Sequence, residues 1–342
     1  MPFTISTQPF GPLATGSEPL TEYVLEHEET GEFLSIIPSH GALLRQLVLR
    51  KGNELLALIK APESPQALLA DESYASALLY PFPSRIRHGI YRFGGEDYAL
   101  PMNEANRDNA LHGFVHGKPF AVISQETTPT YARLVLRYEY PGSLAGYPFP
   151  FALTVTYELI QANQLLLGNS TSDRMCALRV SYSALNTGTT QCPAAFGWHP
   201  YFMLSEEPVD ELTLSLPDRS TILLDDDMLP TGQQTAEQAA TIALRDQTLD
   251  TPFALTPAAT PATGKPFAET ILTSQKTGIR LIVGQQTGPG RLNYLVCYTP
   301  PRRDSVAIEP QTASVNAFNT GDGLSVIEPG DSLDGAMWVR LD

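Results

Sequence analysis

The chain has 342 residues, 42% of them hydrophobic, and carries 37 acidic against 22 basic side chains for a formal net charge of −15. An excess of acid this large argues against binding nucleic acid or anionic membranes, which need basic patches, and it disfavours a highly anionic substrate. The start, Met1-Pro2-Phe3-Thr4-Ile5-Ser6, lacks the basic and apolar regions of a signal peptide, and the longest apolar runs, such as Ala75 to Pro83, are too short and too polar to span a bilayer.

Cys176, Cys192 and Cys297 are odd in number and have no metal-like spacing. Reduced thiols in a cytoplasmic protein are the expectation. Composition and mean hydropathy of −0.11 are those of a soluble globular chain with ample core material.

Taken in order, Tyr23 to Leu25, Phe33 to Ile37 and Leu43 to Leu49 read as strands. Gly31 suits a hairpin turn between the first two, and Gly41 a bend before the third. Residues 61–80 are rich in Ala and Leu and accommodate a short helix. Pro81 and Pro83 exclude a helix interior across Tyr80 to Gly89. Ile90 to Phe93 and Tyr98 to Leu100 form a second hairpin, with Gly94 and Gly95 at its turn.

Asn103 to Asn109 is a polar loop. Val122-Ile123, Ala132 to Tyr140 and Phe151 to Leu159 follow as strands. In the last of these Leu153, Val155 and Tyr157 alternate with Thr154, Thr156 and Glu158, an apolar face against a polar one. Leu165 to Leu167 and Ala177 to Tyr182 are further strands, as are Leu212 to Leu216 and Thr221 to Leu224. Leu229-Pro230-Thr231-Gly232 reads as a turn. Residues 233–270, rich in Ala, Thr, Pro and Gln, read as an irregular excursion. Ile279 to Val283, Tyr294 to Tyr298, Ser305 to Ile308 and Met337 to Leu341 close the chain as strands. No helical pattern alternates with them and no domain boundary shows. The expectation is one all-β domain over residues 1–342, built from large antiparallel sheets.

Three titratable groups sit in apolar or Gly-rich settings. His199 lies in Phe196-Gly197-Trp198-His199-Pro200-Tyr201-Phe202, whose rings desolvate it and favour a neutral imidazole. His112 lies in Leu111-His112-Gly113. Glu309 ends a Val306-Ala307-Ile308 run, where a carboxylate is costly unless hydrogen-bonded. Trp198 and Tyr201 offer flat faces suited to a sugar. Two imidazoles and a carboxylate can move protons both ways near neutrality. They are also a possible zinc set, but they lie far apart in sequence, without an HExxH pattern. The chain has no G-x-S-x-G elbow, dinucleotide fingerprint or phosphate loop. A glycosidase needs two carboxylates, and Asp250 with Glu309 leaves that option open.

Several stretches in order resemble the aldose 1-epimerase (galactose mutarotase) family. Ser84-Arg85-Ile86, Gly89, Phe93, Gly95, Tyr98, Leu100-Pro101, Asn103 and Asn109-Ala110-Leu111-His112-Gly113 resemble its first signature. Trp198 to Phe202 resembles its second and Glu309-Pro310-Gln311 its third. Leu229 to Gly232 and Asp250-Thr251-Pro252-Phe253 are similar to the Pro-Thr-Gly turn and the Asp-x-x-Phe that follow, and Glu328-Pro329-Gly330 to the family's C-terminal turn.

The resemblance implies a β-supersandwich that interconverts the α and β anomers of a free monosaccharide, such as galactose or glucose, without cofactor or metal, as a monomer or homodimer. It implies that Glu309 is the general base at the C1 hydroxyl and His199 the general acid at the ring oxygen, with His112 assisting. Arg85, Asp250, Asn109 and Trp198 are expected to hold the sugar. Better-known members carry a polar residue shortly before the second His and a second Gly after Leu-His-Gly. Here Ala194, Ala195 and Phe196 precede Gly197, and Phe114 follows Gly113, so Trp198 and Phe114 are expected as extra stacking surfaces on the pocket rim. The alternatives are a non-catalytic carbohydrate-binding protein and a glycoside hydrolase or lyase on the same fold.

Overall fold

A computed structural model describes residues 2–14, 18–165, 175–204, 206–256 and 266–342. Strands dominate, and the two α-helices among the described residues, Pro65–Leu69 and Ala317–Thr320, are five and four residues long. The first falls in the Ala- and Leu-rich stretch. Ser64 caps it by accepting from the Ala67 N–H, and Pro65 stands at its first turn, where a missing N–H costs nothing.

The chain forms the expected all-β supersandwich of large antiparallel sheets. Strands Phe3–Pro12, Pro19–His27, Glu32–Ile37, Leu43–Lys51 and Glu54–Ala57 pair in sequence order as a five-stranded meander. A nine-stranded sheet runs from Ala121–Thr127 through Tyr131–Tyr140, Phe151–Gln161 and Cys176–Asn186 to the C-terminal strand Ser332–Leu341. It continues through Arg280–Gln286, Phe267–Ser274 and Leu212–Leu216 to Ala240–Ala243. Strict alternation of buried and half-buried residues along Phe267–Ser274 and most of Cys176–Asn186 shows which face meets the core. Cys176, Cys192 and Cys297 are all buried and unpaired.

An eight-stranded sheet carries the functional groups. It runs Pro230–Glu237, Arg219–Leu224, Asp250–Leu255, Tyr294–Tyr298, Val306–Gln311, Gly197–His199, Ala77–Leu79, with Tyr201–Phe202 also paired to Val306–Gln311.

Two expectations from sequence are corrected here. Leu229 to Gly232 is not the turn. The chain reverses at Asp225 to Met228, closed by the Met228 N–H on the Asp225 carbonyl at 3.0 Å, and Pro230 opens a strand. The described residues of 233–270 are largely strand rather than irregular, and residues 257–265 lie outside them. Pro230–Glu237 is an edge strand exposed along nearly its whole length, so it has no buried face to impose alternation on its sequence. Of the expected strand at Leu165 to Leu167, Leu165 follows a 3-10 turn, and Leu166 and Leu167 lie outside the described residues.

Candidate active site

The Val306–Gln311 strand pairs with Gly197–His199 and Tyr201–Phe202 on one side and Tyr294–Tyr298 on the other. Pro200, lacking an N–H, interrupts the first ladder. Gly197 lies opposite Gln311 and Tyr201 opposite Ala307. The register is the same on both sides of the interruption, which places His199 opposite Glu309 on one face of the sheet. Their side chains meet: His199 Nε2 is 3.4 Å from Glu309 Oε1. The third strand sets Val296 beside Glu309, and Asp250–Leu255 sets Asp250 opposite Tyr298.

This face forms the floor of a cavity of about 1130 Å³, on whose walls Arg85, His112, His199, Asp250 and Glu309 all stand. Tyr74, Tyr201 and Tyr298 add aromatic surface.

Burial pushes the Glu309 carboxyl well above its usual range and the nearby Asp250 charge adds to this, against a hydrogen bond from Gln311 and the Arg85 charge. That hydrogen bond runs from Gln311 Nε2 to Glu309 Oε2 at 3.1 Å, leaving Oε1 to His199. Burial lowers the His199 pKa to about 4. The pair therefore favours one shared proton, held by the acid when the site is empty.

His112 reaches the same place from a strained loop. It has φ +62°, and Gly113 follows at φ +67°. A Cβ on Gly113 would stand 2.2 Å from the Tyr80 carbonyl oxygen, so only glycine fits. The Ser84 N–H donates to His112 Nδ1 at 3.1 Å. The neutral ring thus carries its proton on Nε2. Burial, then the neighbouring His199 and Arg85, hold its pKa well below the usual histidine range. The two imidazoles meet edge to face, centroids 5.2 Å apart.

Arg85 is gripped by Glu104, with Nε 3.0 and 2.9 Å from the two carboxylate oxygens and Nη2 2.8 Å from Oε1. Asp250 stands exposed on the wall. Its pKa is raised by partial desolvation, opposed by Arg85 and Arg107. Among the described residues, no three His, Cys, Asp or Glu side chains are grouped to hold a metal ion.

The structure does not bring every expected contact to the cavity. Trp198 is 0% exposed and packs against Phe202. Successive strand residues face opposite ways, so a cavity-facing His199 sends Trp198 into the core. Phe114 packs on Tyr140, Tyr147 and Phe151 and is not on the cavity wall. Asn109 is also 0% exposed, and its amide donates to Glu104 Oε2 at 3.1 Å, behind the wall. Glu104 and Gln311 were not singled out from sequence. Gln311 was legible, since two residues beyond Glu309 on a strand means the same face. Glu104 carried no signal in its polar loop.

The aldose 1-epimerase family model matches residues 22–340. The uncharacterized protein YihR of Escherichia coli K12 is 27% identical over 309 residues, spanning 88% of this chain and 87% of that protein. A galactose mutarotase-like protein from Clostridium acetobutylicum superposes with a TM-score of 0.81 at 19% identity, covering 99% and 98% of the two chains. Galactose 1-epimerase from Lactobacillus acidophilus does so at 0.76 and 18%, covering 99% of each. At these identities the two structures establish the shared fold, whereas the family match spans nearly the whole sequence: the chain belongs to the aldose 1-epimerase family.

Proposed function

We propose that the protein is a mutarotase, interconverting the α and β anomers of a free hexose such as galactose or glucose. The observation that carries this reading is the buried contact between His199 Nε2 and Glu309 Oε1 at 3.4 Å, with His112 against the same imidazole.

Ring opening takes one proton from the C1 hydroxyl and gives one to the ring oxygen, as the C1–O bond breaks and C1 becomes a carbonyl. Glu309 takes the first proton and His199 delivers the second. His112, protonated on Nε2, donates a hydrogen bond at the same end of the sugar. Rotation about C1–C2 presents the other carbonyl face, and the steps reverse. The proton count of the pair is unchanged throughout. Glu309 ionised with His199 protonated is the state before opening, and Glu309 neutral with His199 neutral the state after. Burial, which raises one pKa and lowers the other, favours the neutral pair, so the proton passes from Glu309 to His199 as the sugar binds and before the ring opens. Each group contributes roughly 10²–10⁴-fold. Arg85 and Asp250 hold hydroxyls away from the reacting end.

The test is polarimetry on freshly dissolved α-glucose and α-galactose. Wild type should hasten the approach to equilibrium, and Glu309→Gln and His199→Ala should abolish the effect. An unaltered rate in Glu309→Gln overturns the assignment of the base. Calorimetric sugar binding without mutarotation across a hexose panel replaces the enzyme with a carbohydrate-binding protein.

A further inference from the structure

We propose that Glu104 is a positioning residue for the substrate, fixing the guanidinium of Arg85 so that its unused edge faces the sugar. The inference rests on the epimerase reading and concerns binding rather than proton transfer.

Glu104 does not stand on the cavity wall and is 8% exposed. Its carboxylate is nonetheless engaged by two cations that do. Arg85 grips it through Nε and Nη2, and Arg107 Nη1 reaches Oε1 at 3.2 Å. Asn109 Nδ2 completes the set on Oε2. A guanidinium is a planar fork of five N–H groups. With the Nε–Nη2 edge committed to Glu104, Nη1 makes no hydrogen bond among the described residues and is left for ligand hydroxyls.

Glu104 is itself held firmly. The Asn103 and Glu104 N–H groups both donate to the Asn109 carbonyl at 3.2 Å, and the Arg107 N–H donates to the Glu104 carbonyl at 3.1 Å. The Asn109 side-chain oxygen accepts from the His88 N–H at 3.3 Å. Residues 104–109 thus form a closed turn whose product is one buried carboxylate between two guanidinium groups. Without it, two permanent charges would repel one another and Arg85 would regain its rotamer freedom, a cost then levied on every binding event.

The charge of Glu104 also reaches Asp250. Asp250 faces Arg85 and Arg107 from the side of this turn, and Tyr201, Tyr298 and Glu309 from the sheet. Glu104 raises the Asp250 pKa and the two arginines lower it. Neutralising Glu104 should therefore shift the acid limb of sugar binding to lower pH, an effect that loosened packing would not produce.

The experiment measures the Kd for galactose by calorimetry, with KM and kcat by polarimetry, in wild type, Glu104→Gln, Arg85→Ala and the double variant. Glu104→Gln should weaken Kd and raise KM roughly tenfold, with kcat within about threefold, and the acid midpoint of Kd should fall. On the Arg85→Ala background the same change should add less than about twofold, because Glu104 acts through Arg85. A folded Glu104→Gln with unchanged Kd, or a loss that multiplies fully with that of Arg85→Ala, overturns the proposal. Should Glu104→Gln not fold, Asn109→Ala removes one bond to the carboxylate together with the bond from the His88 N–H. It should weaken Kd about two- to fivefold at constant kcat, and an unchanged Kd there overturns the proposal as well. A wild type that binds galactose but does not mutarotate it would defeat the enzymatic reading while the Kd comparison still decides Glu104. One that binds no hexose overturns both.

Discussion

The depressed pKa of His199 makes acid stability a direct probe of the site. The ordinary value is 6.5 and burial brings it to about 4. Between those values the unfolded chain binds a proton that the folded protein refuses, so stability rises with pH in that window. The contribution is complete above pH 6.5 and is lost as the pH falls toward 4. At about 1.36 kcal/mol per unit, the loss is about 2 kcal/mol at pH 5 and about 3 kcal/mol at pH 4. Burial also lowers His40, His112 and His116, so the wild-type slope is a sum over several imidazoles. Glu309 works in the opposite direction, since its raised pKa costs stability above pH 4.5 and acid relieves that cost. The difference between wild type and His199→Gln reports His199 together with the part of the His112 depression that the His199 charge causes, and the two act in the same direction. Urea unfolding of both at pH 7.5 and pH 5 should show wild type losing about 2 kcal/mol more than the variant. Equal losses would mean that the imidazole is not held neutral by burial, and the proton-sharing pair would fall with that premise.

Three further outcomes follow from the same geometry. Glu309→Gln should cut mutarotation by roughly 10²–10⁴-fold yet raise the Tm at pH 7, since it removes a carboxyl whose ionisation the fold opposes; a lowered Tm there would contradict the raised pKa. A Cβ on Gly197 would sit 2.8 Å from Pro83 Cβ and 3.3 Å from Gln311 Cγ, so Gly197→Ala should cost roughly 1–3 kcal/mol by chemical denaturation and lower kcat by disturbing the hydrogen bond from Gln311 to Glu309. Trp198→Phe should cost stability, roughly 1–2 kcal/mol, and leave KM within about twofold; a large rise in KM would put the indole back in the cavity.

The sheets were legible where a strand has one wet and one dry face. Phe151 to Leu159 declares itself by alternation, whereas Pro230–Glu237 does not, because an exposed edge strand is held by backbone pairing that leaves no mark on side-chain choice. The same period-two rule fixes the fates of neighbours in the central motif. If His199 faces the ligand, Trp198 cannot, because alternation along the strand decides which face a ring takes whatever its affinity for a sugar. The three proton-handling candidates stood out because ionisable groups in apolar settings are costly and need a reason. Glu104 had no such contrast. It lies among Asn103, Asn106, Arg107 and Asp108, where a carboxylate is ordinary, and only the closed turn reveals that it is buried.

The two halves of the site are positioned by different means, and this has a consequence for substrate choice. His199 and Glu309 owe their contact to a β-ladder register, which cannot shift by one residue without turning every side chain on the strand to the other face. Arg85 owes its aim to one carboxylate in a six-residue turn, 104–109, whose last residue opens the short strand Asn109–Leu111, paired with Arg85–Arg87 and not with the eight-stranded sheet. A change in that turn can re-aim or release a guanidinium while the acid–base pair stays in place. Substitutions at Glu104, Arg107 or Asn109 should therefore alter which hexose is held, read as changes in relative KM across epimers, with kcat for each bound sugar little affected. Substitutions at Gly197, Pro200 or Gln311 should lower kcat for all hexoses together. If variants of the turn instead reduced kcat uniformly and left relative KM values intact, gripping and proton transfer would not be separable in this fold, and the division drawn between them would be wrong.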